Sequence, residues 1–252
     1  MLVRKALPGR RQRSGQRAGA RTGPCVEDDD QDVAAGHRPS LDVVHGGTVG
    51  ERRRVRAYVG LGANLGDASA TLAWAVSALA GLPGVSLRGV SRLYATAPWG
   101  VTGQPEFRNA VVALDVAAEA DPASAALDLL GRLKDLEREA GRRRRRRWGP
   151  RELDLDLLVF GRHRISVERP PEARSIDAAA DPDKAARRLE VPHRDAGERL
   201  FVLAPLADLA PGLVPPGWAE TVESARRRVA AGEPADAVRV VGSWDEVRGR
   251  WV

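Results

Sequence analysis

Cysteine is almost missing from the chain. Cys25 stands alone in 252 residues, which excludes an intrachain disulfide and a cysteine-held metal cluster and suits a reducing cytoplasm. Long apolar runs are missing as well. No stretch approaches the roughly 18–20 residues of a membrane span, and no apolar core follows the basic N-terminus as in a secretory signal. A cytoplasmic protein without membrane contact is expected. Nor does the body of the chain hold a large surplus of one charge. Residues 1–54 carry 11 Lys/Arg against 7 Asp/Glu, or +4, and residues 55–252 carry 29 against 27, or +2. The net +6 therefore does not describe a nucleic-acid-binding face.

What is present is unevenly distributed. Residues 1–54 are rich in Arg, Gly, Asp and Pro without apolar periodicity, and cannot bury enough surface to offset their ordering entropy. They read as a disordered basic extension, either a genuine tail or the product of an upstream start codon. From Val55 the pattern changes: Val55, Ala57, Val59 and Leu61 alternate with Arg56, Tyr58 and Gly60 as in a strand. The strand runs into Gly60-Leu-Gly62-Ala-Asn64-Leu-Gly66-Asp67 and then a helix with Leu72, Val76 and Leu79 on one face. Such a turn can cradle phosphate, yet glycines there often serve only a positive φ. The G-x-G-x-x-G spacing of a dinucleotide site is lacking.

A second strand is expected over Val85–Tyr94, then a Gly- and Pro-containing loop over Ala95–Arg108, and a third strand around Asn109–Val116. Thr96, Trp99, Phe107 and Asn109 in and beside that loop suit a flat heterocycle, the rings stacking and the amide reading its edge; Trp99 and Phe107 as ordinary core is the alternative. Asp121-Pro122 begins a second helix, with Leu127, Leu130, Leu133, Leu136 and Ala140 as its stripe and Gly141 as its stop. Lys134 and Glu137 on it either reach a nucleotide or form a solvated face.

The densest chemistry lies in Gly141–Phe160, GRRRRRRWGPRELDLDLLVF. Glu152–Val159 alternates with a period of two, so Leu153, Leu155, Leu157 and Val159 are expected in a core and Asp154 and Asp156 on the other face, roughly 6.5–7 Å apart. Paired carboxylates stay ionised when Mg²⁺ or Arg neutralises them, and carboxylates holding Mg²⁺ beside Arg are what phosphoryl transfer requires. A solvated edge strand is the plainer reading, against which stand the fixed Gly149-Pro150 turn and the apolar anchor Trp148. After it, residues 162–190 read as a flexible insertion. The domain is expected to close near residue 215, with His193 beside phosphate or merely structural, a last helix ending near Pro211, and a peripheral extension over 216–252.

The order β-α-β-β-α-β predicts an α+β fold, a ferredoxin-like βαββαβ sandwich whose antiparallel sheet has helices packed on one face and the other left for ligands. Four stretches in order, YVGLGANLGD, SRLYATAPWGVTGQPEFRNAVVAL, GRRRRRRWGPRELDLDLLVFG and VPHRDAGERLFVLAPLADLAP, resemble the 6-hydroxymethyl-7,8-dihydropterin pyrophosphokinases of folate biosynthesis.

The resemblance implies transfer of pyrophosphate from ATP to the pterin hydroxymethyl group, with ATP as co-substrate, two Mg²⁺ ions on Asp154 and Asp156, and a monomer acting on small molecules. It implies Arg142 and Arg144 beside those aspartates as catalytic groups. Its ATP side falls on Glu137, Trp148, Arg151, Leu157, His193 and Arg199, and its pterin side on Thr96, Trp99, Phe107, Asn109 and Phe201. Phe107 stands where the family often has Tyr, Lys134 where Gln is usual, and Arg194 where an aromatic often follows the histidine. An RNA-binding module on the same sheet, or a catalytically silent scaffold, are the rival readings; the two Asp on the open face oppose the first, because they repel a nucleic-acid backbone.

Overall fold

The computed structural model describes residues 53–97, 103–118, 121–142, 149–173 and 188–252, which belong to one compact unit, Val49–Val252. Strand β1 (Arg54–Ala63) leads to α1 (Ala68–Ala80), β2 (Val85–Val90), β3 (Leu93–Thr96), β4 (Phe107–Ala117), α2 (Pro122–Glu139) and β5 (Asp154–Phe160). A hairpin of β6 (Ile165–Glu168) and β7 (Arg188–Val191) follows, then α3 (Leu200–Leu209), α4 (Val222–Ala230), β8 (Val238–Gly242) and the pair β9 (Trp244–Asp245) and β10 (Arg250–Trp251).

The main sheet runs β5-β1-β4-β3-β8, with β2 also paired to β4. All its pairings are antiparallel. The expected second strand is broken into β2 and β3 at Ser91 and Arg92. Ser91 Oγ accepts from the Val111 amide and donates to the Arg92 carbonyl, so a side chain satisfies the backbone where the strand bends. Both helices of the first half start on aspartate caps. The Asp67 carboxylate accepts from the Ala70 amide at 2.9 Å, and Asp121 from the amides of Ala123 and Ser124, with Pro122 on the first turn where its missing N–H costs nothing. Gly141 takes a φ of +80° and turns the chain out of α2.

The larger core lies between the sheet and α1 and α2: Val55, Ala57, Val59 and Leu61 of β1 meet Leu72, Val76 and Leu79 of α1 and Leu129, Leu130 and Leu133 of α2. Burial of this apolar surface, worth about 25 cal/mol per Å², is a main driving term for folding. The expectation of helices on one face alone is corrected by the second core. Leu203 and Leu206 of α3 with Val222 and Ala225 of α4 cover Tyr58, Val111, Ala113, Leu158 and Val159 on the opposite face. Part of that face is therefore occupied. Tyr94 Oη donates to Asp208 at 2.9 Å, and Arg92 pairs with the same carboxylate, fastening α3 to β3.

Three further expectations change. A β-bulge between Tyr58 and Val59 leaves Leu158 without a partner on β1, so Val159 joins the α3 face and Phe160 enters the larger core in its place. The stretch 162–190 is ordered at both ends as the β6–β7 ladder, while 174–187 and residues 1–52 lie outside the described residues. Residues 216–252 are not peripheral: β8 extends the sheet beside β3, and Trp244 and Trp251 pack on the larger core. No described helix is long and apolar enough to cross a membrane.

Candidate active site

Strand parity brings three elements into one row. Gly62 on β1 pairs with Asn109 on β4 at one side and with Asp154 on β5 at the other. All three residues lie on the face shared with α3 but beyond its cover, because β1 continues from Tyr58 through Gly60 to Gly62 on that face. A Cβ at Gly62 would stand 3.4 Å from Asn109 Oδ1 and 4.0 Å from Asp154 Cβ. Glycine thus keeps a gap open between an amide and a carboxylate. One step along, Gly60 pairs with Asp156, and there the Leu158 side chain lies over the glycine, its Cδ1 3.4 Å from where a Cβ would stand, so the open gap is the one at Gly62.

On the β4 side, Thr96 pairs with Phe107 and Tyr94 with Asn109. Asn109 Nδ2 donates to Thr96 Oγ1 at 2.9 Å, and both residues are buried. That bond fixes the amide with its oxygen toward Gly62. Thr96, Phe107 and Asn109 are therefore brought together, whereas Trp99 lies outside the described residues.

On the β5 side stands a buried chain of charges. Lys134 Nζ donates to Glu137 Oε1 at 2.6 Å and to the Leu155 carbonyl at 2.9 Å, and the Leu155 amide donates to the same Oε1 at 2.8 Å. Arg142 Nη1 reaches Glu137 Oε2 and Asp154 Oδ1, each at 2.6 Å, and Arg151 closes on Asp154 Oδ2. Lys134, Glu137 and Arg142 are each less than 10% exposed. Burial pushes the Glu137 carboxyl above its ordinary value while Lys134 and Arg142 oppose it. Burial also acts to raise Asp154, but the guanidinium groups of Arg151 and Arg142, helped by Lys134, hold its carboxyl well below the usual carboxylate range. Asp154 is therefore ionised throughout the neutral range.

This network reassigns two residues. Both oxygens of Glu137 are taken by protein donors, so it anchors Arg142 and the start of β5. Leu157 is buried in the larger core, on the face away from Asp154 and Asp156; its side chain does not line the open face as the adenine contact would require. Lys134 is buried in the same network. Arg144 and Trp148 lie outside the described residues.

A second group stands where the chain returns to this face. The His193 amide donates to the Leu158 carbonyl at 2.8 Å, placing the half-exposed imidazole beside β5, and its Nδ1 accepts from the Asp195 amide. Arg199 pairs with Asp195 at 2.6 Å and lies over the Phe201 ring at 5.9 Å, at the start of α3. Arg194 is exposed and stands 4.0 Å from Glu190 and Asp195. Two residues beside the site were not singled out from the sequence. Arg169 lies in the field of Asp156 and Glu137, with burial lowering its pKa. Asn64 looked like one more residue of a glycine-rich turn. The signal for Arg169 was thin, since a single arginine before Pro170-Pro171 has no spacing to mark it.

Two aspartates on one strand supply hard oxygen donors, and among the described residues no group of three or more His, Cys, Asp or Glu forms a closed metal cage. Both Asp154 oxygens already accept from Arg142 and Arg151, so a cation there would use their remaining lone pairs together with Asp156; such a donor set fits Mg²⁺, which keeps most of its ligands as water and phosphate oxygens.

Residues 58–211 match the profile of the 7,8-dihydro-6-hydroxymethylpterin-pyrophosphokinase (HPPK) family. The chain is 40% identical over 185 residues to the 2-amino-4-hydroxy-6-hydroxymethyldihydropteridine pyrophosphokinase of Methylorubrum extorquens, covering 73% of this chain and 98% of that one. It is 42% identical over 158 residues to the enzyme of the same name from Pseudomonas aeruginosa, covering 63% and 82%. Among solved structures, the fold is similar to that of wild-type Plasmodium falciparum HPPK-DHPS, with a TM-score of 0.57 at 12% identity over 81% of this chain. The match spans about half of that longer protein, 46% of its length. The chain belongs to the 7,8-dihydro-6-hydroxymethylpterin-pyrophosphokinase family.

Proposed function

We propose that the protein carries out the reaction of its family: a transferase that moves the pyrophosphoryl group of ATP onto the hydroxymethyl oxygen of 6-hydroxymethyl-7,8-dihydropterin, releasing AMP, in folate biosynthesis. The observation that carries this reading is the row Asn109, Gly62, Asp154. It sets a hydrogen-bonding amide for a flat heterocycle on one side of the gap at Gly62 and a carboxylate held ionised by two arginines on the other.

Asn109, held by Thr96, presents its amide to the pterin edge, with Phe107 and Phe201 as stacking surfaces. Asp154 and Asp156 would hold two Mg²⁺ ions, whose chemistry is to neutralise phosphate charge as the α–β phosphate bond breaks. Arg142, fixed by Glu137, and Arg151 frame the same carboxylate, and with Arg144, His193 and Arg199 they supply donors for the triphosphate. Trp99 and Trp148 complete the pterin and nucleotide sides in this reading. The remaining contribution is alignment: two substrates seated on β4 and β5, on either side of β1 in one rigid sheet, lose little entropy on reaching the in-line geometry, a saving of several kcal/mol.

The strand order β5-β1-β4-β2/β3, with α1 and α2 on one face, supports the ferredoxin-like plan. We propose a monomer, and a reducing cytoplasm accords with the single cysteine. The aspartates on the open face argue against a nucleic-acid partner.

The test is a product assay with ATP, Mg²⁺ and the dihydropterin that resolves AMP from ADP. AMP formed in step with pterin consumption supports the reading. ADP, or no turnover by a folded protein, overturns it.

A further inference from the structure

We propose that Asn64 is a positioning residue that sets the spacing between the pterin side and the nucleotide side of the site, an inference that rests on the reading above. Asn64 follows the last residue of β1, two positions after Gly62, and only 2% of it is exposed. Its side chain uses both donor and acceptor. Nδ2 donates to Gln104 Oε1 at 3.2 Å and to the Pro105 carbonyl at 3.1 Å, while Oδ1 accepts from the Arg151 amide at 2.7 Å. Its own amide donates to the Arg151 carbonyl at 3.0 Å.

These bonds link segments 41 and 87 residues away in sequence. Pro105 precedes Phe107 and Asn109 on β4, and Arg151 precedes Asp154 on β5 and also grips its carboxylate. β1 lies between β4 and β5, so neither outer strand touches the other in the sheet. Beyond Ala63 the β1–β4 ladder has ended, and Asn64 ties together the segments that lead into the two outer strands, out of register with either ladder. It holds the turn before Asp154 on one side and the approach to Phe107 on the other. Aspartate offers only the acceptor half and serine is too short to reach both, so asparagine is the residue type that closes this link.

A group acting in this way changes the distance between two bound substrates rather than the binding of either. With Asn64→Ala in the full chain, kcat is expected to fall about 30-fold, because small misplacements of reacting groups cost up to about a hundredfold. The separate affinities for an ATP analogue and for the pterin should each change less than about threefold, since the contacts that bind each substrate remain. Asn64→Asp, which keeps the Arg151 link, should lose less.

Hydrogen exchange gives a readout independent of turnover: amides of 104–109 and of 151–155 should both exchange faster in Asn64→Ala. A kcat within twofold of wild type, or exchange unchanged in one of the two segments, overturns the proposal. So does a kcat loss matched by equal losses of both affinities, the mark of a merely structural role. If Asn64→Ala does not fold, Asn64→Asp and Gln104→Ala answer the same question by the same two readouts. A wild-type protein that shows no turnover but loosens both segments when Asn64 is changed overturns the assigned reaction and leaves the positioning intact.

Discussion

Asn109 and Asp154 face one another across Gly62, on strands β4 and β5 that never touch. The gap between them exists only because residue 62 has no side chain. Gly62→Val adds a residue that favours strands, so the backbone tolerates it, but its methyl groups extend past a Cβ already 3.4 Å from Asn109 Oδ1. We expect pterin affinity to drop about tenfold or more, roughly 1.4 kcal/mol per decade, while the melting temperature changes little. Calorimetric titration with the pterin and a thermal melt on the same sample check both halves.

The buried charges at α2 should govern stability more than the exposed ones near α3. Glu137→Gln leaves Lys134 and Arg142 without their shared carboxylate in a site where all three are buried. Breaking such a network costs about 3–5 kcal/mol, or roughly 6–20 °C for a domain of this size. Arg199→Ala removes a half-exposed pair worth about 0–1 kcal/mol and should leave the melt within about 4 °C while weakening nucleotide binding. Differential scanning fluorimetry of the two variants decides the order.

The aspartates are expected to separate in the same way. Asp154 holds the Arg142 and Arg151 guanidinium groups, so Asp154→Asn should lose AMP formation and also destabilise the fold by about 1–3 kcal/mol. Asp156→Asn should cut kcat by about a hundredfold or more, as removal of charge-stabilising groups does, with a smaller effect on stability. AMP release at saturating ATP, read beside a denaturant titration, distinguishes them.

How much of this was legible in the sequence depends on whether the signal was local. The alternation of β1, the Asp121-Pro122 start of α2 and the DLDL face of β5 were readable because each rests on a repeat of 2 or 3.6 or on a cap. The bulge that moves Val159 to the other face was not, since nothing in LDLDLLVF marks where β5 slips against β1. Ser91 hid the break in the second strand for the same reason: a serine that satisfies the backbone looks like any polar residue in a strand. Leu157 was assigned by resemblance to the nucleotide, but its strand parity, which the sequence did display, puts it in the core. The partial covering of the ligand face by α3 and α4 is a long-range packing result that no local pattern encodes.

Acid stability should carry the mark of Asp115. Hydrogen bonding and charge from Arg56, followed by Arg88, hold its carboxyl below the ordinary value. A carboxylate with a lowered folded pKa stabilises above the unfolded value of about 3.9, and that contribution is lost as pH falls through the folded value. Both arginines are about half-exposed, so the contribution is about 1 kcal/mol, or roughly 2–4 °C. The melting temperature of Asp115→Asn should sit below wild type by that amount from pH 8 to 5, and the two curves should converge below about pH 4. Parallel curves down to pH 2 would sink this assignment.

The C-terminal residues should matter to one substrate more than the other. β8 pairs with β3, matching Val238 to Thr96 and Val240 to Tyr94, and Trp251 Nε1 donates to the Ser91 carbonyl at the break between β2 and β3. Thr96 in turn orients Asn109. Ending the chain after Ala237 turns β3 into an edge strand and removes the indole that covers the bend, so the Thr96–Asn109 pair loses its outer support. The β5 network of Lys134, Glu137, Arg142 and Asp154 is four strands away from β8 in the sheet order and keeps its partners. Pterin affinity should therefore fall about tenfold, while affinity for an ATP analogue changes less than about threefold. Isothermal titration of the truncated chain with each ligand separately measures that asymmetry; equal losses for both would mean that the strand supports the whole sheet rather than the pterin side.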